Sequence, residues 1–225
     1  MLHITKTFPG VLANDNVSFS VDQGQILGLI GENGAGKSTM MNMLYGLFPP
    51  DSGEIRLFGE RVTVRSPDQA ISMGIGMVHQ HFMLMPNLTV LQNIILGKEP
   101  TKKGLLDTAS ARAKIQEIMD TYGLQVNLDE RIYQLSVGQK QRVEIVKSLY
   151  REAKILIMDE PTAVLTPQET DTLMAVLRKL RDEGSTIIFI THKLREVMAL
   201  TDKVVVMRKG EVTGTLMTRD ANMEM

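Results

Sequence analysis

The sequence GENGAGKST occupies residues 31–39, after the apolar run ILGLI at residues 26–30 and before the run MMNML at residues 40–44. This order predicts a strand, a glycine-rich loop and a helix. The backbone N–H groups of such a loop and the positive end of the following helix point into one concavity, which suits a polyphosphate. The stretch therefore predicts a nucleotide-binding loop at the centre of the fold.

The residue types within this loop suit phosphate binding. Gly31, Gly34 and Gly36 allow backbone angles and a close approach that a Cβ atom would block. Lys37 can reach the β- and γ-phosphates of a nucleotide, and the Ser38 hydroxyl can bind Mg²⁺. The remaining candidate nucleotide contacts in the loop are Asn33, Ala35 and Thr39. The alternative is a chance glycine-rich turn, which should match G-x-x-x-x-G-K-S/T in about one chain in a hundred of this length.

The composition is that of an ordinary globular α/β protein. The chain has 225 residues, of which 43% are hydrophobic and 23% are charged, and its formal net charge is -1. This balance disfavours nucleic acid as the main partner, because phosphate contacts favour a basic surface. Cysteine is absent, which excludes a disulfide framework and a thiolate metal site and fits a reducing cytoplasm.

The length allows one large domain or one domain with an inserted lobe. No apolar run approaches the roughly 18 residues of a membrane span, and the N-terminal sequence MLHITKTFPG lacks the apolar core of a signal peptide. We therefore expect any action at a membrane to depend on a partner protein.

The N-terminal third is predicted to form short strands separated by turns. Residues 17–21 alternate apolar and polar side chains, as a half-buried strand does, and follow turn-forming residues at 14–16. Residues 54–58 alternate again and predict a hairpin. A short buried strand is predicted at 75–78, with Gln80 close behind it.

Helix-forming residues dominate the middle of the chain. The spacing predicts helices over 90–96 and 109–122, and no strand signal interrupts residues 82–135. Ser136 can cap the helix that follows, and Gly138 would let a phosphate approach the N-terminus of that helix. A plain serine-capped helix is the alternative interpretation.

Two further buried strands are followed by polar residues. The apolar segment 154–158 ends in Asp159 and Glu160, which puts two carboxylates where ligands bind in open parallel sheets. The strand predicted at 186–190 is followed by His192. By itself, a histidine in such a position is more often structural than functional.

As an ordered set, these segments resemble the ATP-binding cassette (ABC) ATPase family over essentially the whole chain. The matching motifs are GENGAGKST for the Walker A loop, Gln80 for the Q-loop, LSVGQKQ at 135–141 for the signature, ILIMDEP at 155–161 for the Walker B segment, and His192 for the switch histidine. Phe8 lies 23 residues before Gly31 and matches the family's adenine-stacking aromatic. Without the resemblance, Phe8 would be interpreted as a packing residue.

The resemblance implies an α/β fold: a RecA-like P-loop NTPase core with an N-terminal antiparallel β subdomain and an inserted helical subdomain. Residues 1–81 and 152–225 would form the β subdomain and the catalytic core. Residues 82–151 would form the helical lobe, which includes the signature helix.

The resemblance also implies roles for residues that would act on ATP and Mg²⁺. Ser38, Asp159 and Gln80 would bind Mg²⁺, and Glu160 would polarise the attacking water. His192 would contact the γ-phosphate, and Gln80 would also contact the attacking water. The signature loop would complete the ATP site of an opposite domain through Ser136, Val137, Gly138 and Gln139.

Two longer segments resemble one subfamily of these ATPases. MVHQHFMLMPNLTVLQNI at 77–94 and DEPTAVLTPQE at 159–169 are similar to the first nucleotide-binding domain of bacterial importers of simple sugars or nucleosides. This implies the N-terminal half of a tandem ATPase subunit on the inner face of the membrane. Its partners would be permease subunits, a second nucleotide-binding domain and, indirectly, a substrate-binding protein. Two departures from the general pattern are Val137 in place of glycine and AVLT at 163–166 in place of S-x-L-D.

Two other function classes compete with the importer ATPase. A soluble ABC protein of translation or DNA repair should carry a basic arm or a long coiled-coil insertion, and the sequence has neither feature. A nucleotide-binding module without turnover is disfavoured by Glu160 and His192.

Overall fold

The computed structural model describes residues 1–80, 82–102 and 104–221. In chain order, its strands are β1 (Leu2–Phe8), β2 (Val11–Val17), β3 (Ile26–Ile30), β4 (Ser52–Leu57), β5 (Glu60–Val62), β6 (Ile75–Val78), β7 (Thr101–Lys102), β8 (Leu105–Leu106), β9 (Ile155–Asp159), β10 (Thr186–Thr191), β11 (Lys203–Arg208) and β12 (Glu211–Met217). Its α-helices are α1 (Lys37–Leu44), α2 (Pro67–Ser72), α3 (Val90–Ile95), α4 (Thr108–Tyr122), α5 (Val137–Tyr150), α6 (Pro167–Asp182) and α7 (Leu194–Leu200). Among the helices of these ranges, none combines the length and apolar character that a membrane span requires.

The central sheet has the strand order β12-β11-β3-β10-β9-β6. Strand β10 pairs in parallel with β3 on one side and with β9 on the other. Thr191 lies opposite Ile30, and Ile190 lies opposite Asp159, so these three strands end at nearly the same level. The glycine-rich loop, Glu160 and His192 therefore each follow a strand that ends at this edge of the sheet.

The N-terminal strands form a second, antiparallel sheet of order β2-β1-β4-β5. The antiparallel character is as predicted, but the predicted positions of one strand and one turn are wrong. Residues 14–16 lie inside β2, and residues 18–21 lie outside any strand. The pairing of β2 with β1 is shifted by irregularities, and Asn16 has a φ of 48°. An asparagine tolerates this left-handed conformation, so the turn formers make a bulge instead of a turn.

The two faces of the central sheet are buried in different clusters. Leu27 and Leu29 pack on one face with Met40 of α1. On the opposite face, a Cβ atom at Gly28 would lie 3.0 Å from Thr201 Cγ2 and 3.1 Å from Val197 Cγ1. The missing side chain therefore allows α7 to pack directly on the strand that precedes the glycine-rich loop.

The segment predicted as a helical lobe contains an element that the sequence pattern did not reveal. Strands β7 and β8 pair in a small antiparallel hairpin, with Thr101 opposite Leu106 and Lys102 opposite Leu105. Two residues are too few for an alternating pattern to be recognised. The prediction of an uninterrupted helical stretch over 82–135 is therefore wrong at this hairpin.

Side chains of α3 and α5 hold the backbone at Met83 and Met85. Met83 N–H donates to Glu144 Oε1 at 2.8 Å, and Lys147 Nζ donates to Met83 O at 3.2 Å. Burial raises the pKa of the Glu144 carboxyl, and the nearby Lys147 opposes this effect. Asn93 of α3 accepts from Met85 N–H at 2.7 Å and donates to Met85 O at 3.1 Å. The segment is therefore anchored to α3 and α5 by buried polar groups.

We predict that Asn93→Ala destabilises the protein by about 1–3 kcal/mol, because it removes a buried side-chain amide that pairs with both the N–H and the carbonyl of Met85. The free energy of unfolding is measured by urea denaturation followed by circular dichroism. The matched control is Asn87→Ala, at an exposed position six residues earlier, which should change stability by less than about 0.5 kcal/mol. Equal losses in the two variants would contradict the anchoring role of Asn93.

Candidate functional site

The glycine-rich loop is held in its shape by close packing. A Cβ atom at Gly31 would overlap the carbonyl oxygen of Met207, and one at Gly36 would overlap the carbonyl oxygen of Ala13. Gly36 also has a φ of 95° at the N-cap of α1. These two positions require glycine for steric reasons that do not involve a ligand. Gly34 has a φ of 81°, and no atom lies within 4 Å of the position that a Cβ atom would take.

Lys37 lies curled over the loop that precedes it. Its Nζ atom donates to Gly31 O at 2.7 Å and to Glu32 O at 2.9 Å, and the residue is buried. Burial lowers the pKa of the ammonium group, and the carboxylates of Glu160 and Asp159 oppose that shift. The positive charge is thus held at the mouth of the loop.

Ser38 and Asp159 meet where α1 begins and β9 ends. Ser38 Oγ donates to Asp159 Oδ1 at 3.3 Å. Asp159 is buried, and burial raises the pKa of its carboxyl, while the hydrogen bond from Ser38 lowers it. A hydroxyl and a carboxylate are hard oxygen ligands of the kind that Mg²⁺ prefers.

Glu160 and His192 form a second polar pair beside the first. His192 Nδ1 lies 3.3 Å from Glu160 Oε1, and Glu160 N–H donates to Ile190 O at 3.0 Å. Glu160 has a φ of 46°, a strained conformation for a residue with a side chain. Only 16% of its side chain is exposed, against 49% for His192. The carboxylate is therefore held in a fixed direction, with the more exposed imidazole against it.

An open cavity of about 690 Å³ joins most of the predicted nucleotide contacts. Its lining includes the predicted residues Phe8, Asn33, Gly34, Ala35, Gly36, Lys37, Ser38, Thr39, Gln80 and Glu160. Gly31, Asp159 and His192 do not line it, but the hydrogen bonds described above connect them to residues that do. The structure thus brings residues from five separate segments to one surface.

Phe8 is the one aromatic residue among the predicted contacts that line this cavity. Its ring makes an edge-to-face contact with Phe48, with centroids 5.3 Å apart and an interplanar angle of 86°. Lys6 Nζ lies 5.6 Å from the Phe8 centroid. The residue is 37% exposed. It is therefore partly a packing residue and partly available to a ligand.

The four signature residues lie at the N-terminus of α5, and none of these described residues lines the cavity. Ser136 Oγ accepts from Gln139 N–H at 3.3 Å, and Gln139 Oε1 accepts from Ser136 N–H at 2.8 Å. This is a reciprocal capping box. Val137 is exposed, and a Cβ atom at Gly138 would overlap Glu169 Oε1.

Sequence reasoning missed several residues that support the site. Asn14 is fully buried, and its Nδ2 atom donates to Gly36 O at 3.2 Å. Gln141 is buried on α5, and its Nε2 atom donates to Pro161 O at 2.7 Å. Lys209, in the turn between β11 and β12, lines the cavity. Asn14 belongs to the turn-forming residues at 14–16, which gave no sign that it would be buried. The apolar helical face around Gln141 could have identified Gln141 as a buried polar residue.

No group of three or more histidine, cysteine, aspartate or glutamate side chains is arranged to hold a metal ion within residues 1–80, 82–102 and 104–221. Any metal here would therefore need ligands of other kinds, such as the Ser38 hydroxyl.

Comparison with known proteins agrees with this geometry. Residues 14–163 match the model of a family described as ABC transporter. The chain is 54% identical to the guanosine import ATP-binding protein NupO of Bacillus subtilis over 224 residues, which are 100% of this chain and 44% of that protein. It is 48% identical to the glucose import ATP-binding protein TsgD13 of Haloferax volcanii over 250 residues, covering 99% of this chain and 46% of that protein. The chain thus spans slightly less than half the length of these relatives.

Solved structures of ATP-binding cassettes have the same fold as this chain. A nucleotide-free ATP-binding cassette from an ABC transporter superposes with a TM-score of 0.84 at 28% identity, over 96% of this chain and 89% of that one. A dimeric, post-hydrolysis cassette bound to ADP and Pi superposes with a TM-score of 0.84 at 28% identity, over 98% of each chain. The predicted α/β P-loop fold is confirmed. This chain belongs to the ABC transporter family and has the fold of its ATP-binding cassettes.

Proposed function

We propose that this chain binds ATP in the cavity beside the glycine-rich loop and hydrolyses it to power import of a simple sugar or a nucleoside. The observation that carries this proposal is the convergence of Lys37, the Ser38–Asp159 pair and the Glu160–His192 pair at one edge of the sheet. Calorimetry with MgATP and a phosphate-release assay test binding and hydrolysis separately.

The shape and charge of the cavity fit ATP. Lys37 contacts two loop carbonyls, and its ammonium group could exchange those contacts for the β- and γ-phosphates. The N-terminus of α1 adds the partial positive charge of a helix end. The free part of the Phe8 ring can stack on the adenine base. Asn33, Gly34, Ala35, Gly36 and Thr39 supply the remaining contacts along the loop.

The oxygen atoms near the loop fit Mg²⁺. Ser38 and Asp159 would hold the ion, and Gln80, exposed in the same cavity, would complete the protein ligands. When bound, Mg²⁺ would neutralise charge on the phosphate oxygens. The small number of protein ligands agrees with an ion that takes its other ligands from the nucleotide and from water.

Glu160 is the best candidate for the general base. Its carboxylate would accept a proton from water as the water oxygen bonds to the γ-phosphorus and the bond to the bridging oxygen breaks. General-base catalysis typically contributes about 10²–10⁴-fold, or about 3–5 kcal/mol of the barrier. His192 would hold the Glu160 side chain and contact the γ-phosphate, and Gln80 would orient the water.

A second nucleotide-binding domain would complete the ATP sites. Ser136, Val137, Gly138 and Gln139 do not line this chain's own cavity, which agrees with a role at the ATP site of an opposite domain. The dimeric cassette described above gives such a pairing a structural precedent. The curated relatives are about twice as long as the matched region. This agrees with a tandem subunit of which this chain is the N-terminal half.

The importer assignment rests on the relatives, which are named for guanosine and glucose import. The partners would be permease subunits in the membrane and, indirectly, a substrate-binding protein, with this domain on the cytoplasmic face. The alternative is a soluble ABC ATPase of translation or DNA repair. Co-purification with a membrane-spanning partner supports the importer, whereas co-purification with ribosomes or DNA contradicts it.

We predict that Lys37→Ala weakens MgATP binding by about 10–100-fold, because hydrogen bonds to charged groups contribute about 1.5–3 kcal/mol. Isothermal titration calorimetry measures the affinity. Lys102→Ala, on the exposed hairpin of the helical lobe, should bind like wild type. Unchanged affinity in Lys37→Ala would remove the loop from the ATP site.

We predict that Phe8→Ala weakens binding of ATP more than binding of inorganic triphosphate, because the ring should contact only the base. Base stacking on an aromatic side chain contributes about 1–3 kcal/mol. The matched control is Phe58→Ala, at an exposed position outside this cavity. Equal losses for both ligands would mean that Phe8 acts only in packing.

We predict that Glu160→Gln retains MgATP binding but lowers phosphate release by about 10²–10⁴-fold, because the amide cannot accept a proton from water. The unhydrolysed complex should also accumulate as a closed pair in sizing chromatography with MgATP and not with MgADP. Glu117→Gln, exposed on α4, is the control. Hydrolysis near the wild-type rate would exclude Glu160 as the base, whereas slow hydrolysis without pairing would argue only against self-association of this domain.

A further inference from the structure

A polar network joins the chain segments that follow β9 and β10. Thr162 Oγ1 donates to Glu196 Oε2 at 2.7 Å. Lys193 Nζ donates to Thr162 O at 3.0 Å and to Thr162 Oγ1 at 3.2 Å, and lies 3.1 Å from Glu196 Oε1. Three side chains from two segments are therefore joined in a closed set by hydrogen bonds and one ion pair. We call this set, with Thr191, the Glu196 network.

Thr191 joins the network from the end of β10. Its Oγ1 atom donates to Glu196 Oε2 at 3.4 Å and accepts from Lys193 N–H at 3.0 Å. Thr191 and Thr162 are both almost fully buried, and 12% of the Glu196 side chain is exposed. A buried carboxylate is costly unless its oxygens are paired, and here both oxygens have partners.

The Glu196 network brackets the two residues assigned to the attacking water. Thr162 lies two residues after Glu160, and Thr191 and Lys193 are the neighbours of His192. Glu160 and His192 make contact at 3.3 Å, but neither belongs to the network. A shift of Thr162 relative to Thr191 would therefore change the distance between the carboxylate and the imidazole.

If Glu196 only stabilised α7, its contact with Thr162 would be unexplained. A glutamate in the first turn of a helix is stabilised by the helix dipole, and Glu196 lies in the first turn of α7. That interaction needs no contact with Thr162. A polar network whose members are all paired, in contrast, fixes one arrangement of the groups it joins. Thr162, Thr191 and Glu196 are largely shielded from water, and 40% of the Lys193 side chain is exposed.

We propose that Glu196 is a positioning residue that sets the separation of Glu160 and His192 by holding Thr162 against Thr191. The effect of this positioning on turnover rests on the hydrolytic function proposed above, whereas its effect on His192 does not. In the absence of the network, Glu160 and His192 would lose their fixed contact although neither residue had been changed.

The first test uses NMR of the histidine Cε1–H signals in the protein without nucleotide. The chain has four histidines, so the signal of His192 can be assigned by its loss in His192→Gln. Thr162→Val removes the hydroxyl at nearly constant volume and should move or broaden that signal, whereas Thr162→Ser keeps the hydroxyl and should restore it. The matched control is Thr218→Val, which removes the buried hydroxyl that contacts Thr201 Oγ1 at 2.9 Å.

The second test measures phosphate release and MgATP affinity in the same variants. Thr162→Val should lower turnover by about 10–100-fold, as small misplacements of catalytic groups do, with affinity within about twofold of wild type. Thr162→Ser and Thr218→Val should retain turnover. Glu196→Ala should reproduce the Thr162→Val result.

The two tests fail separately. A His192 signal that is the same in wild type, Thr162→Val and Glu196→Ala overturns the positioning role, whatever the turnover. A wild-type protein that binds MgATP but never releases phosphate overturns the proposed hydrolysis, and the His192 signal still decides the positioning role. Equal loss of turnover in Thr162→Val and Thr218→Val would also overturn the positioning role, because the loss would then follow from removal of any buried hydroxyl.

Discussion

The site depends on the parallel register of β3, β10 and β9. Backbone pairing puts Thr191 level with Ile30, and Ile190 level with Asp159. Strand β3 is followed by the glycine-rich loop, β10 by His192 and β9 by Glu160. A one-residue slip of β9 would turn its side chains to the opposite face of the sheet. The hydrophobic core on both faces of the sheet therefore also fixes the geometry of the polar edge.

Charges of both signs meet at this edge and are partly removed from water. Lys37 and Asp159 are buried, and each influences the pKa of the other in the direction expected for opposite charges. Isolated burial of either charge would be unfavourable, and the loop carbonyls and the Ser38 hydroxyl supply compensating hydrogen bonds. A polyanion and a divalent cation would enter a site that already contains groups of both signs.

Much of this arrangement could be predicted from local sequence. The glycine-rich loop and the segment ending in Asp159 are continuous, and buried parallel strands are recognisable as apolar runs. The β7–β8 hairpin was too short to give a pattern, and the bulge at Asn16 depends on its pairing with β1. Thr162 and Glu196 are far apart in sequence, so their contact exists only in the folded chain. Individual residues were thus easier to predict than the contacts that hold them.

We expect MgATP to bind at this edge of the sheet, and a crystal structure with Mg²⁺ and the non-hydrolysable analogue AMP-PNP would show whether it does. In that structure, Lys37 Nζ should leave the carbonyls of Gly31 and Glu32 to contact the β- and γ-phosphates. The metal ion should lie between Ser38 and Asp159, and the adenine ring should lie beside Phe8. A nucleotide bound elsewhere, or Lys37 still on the two carbonyls with the phosphates beyond its reach, would exclude this edge as the ATP site.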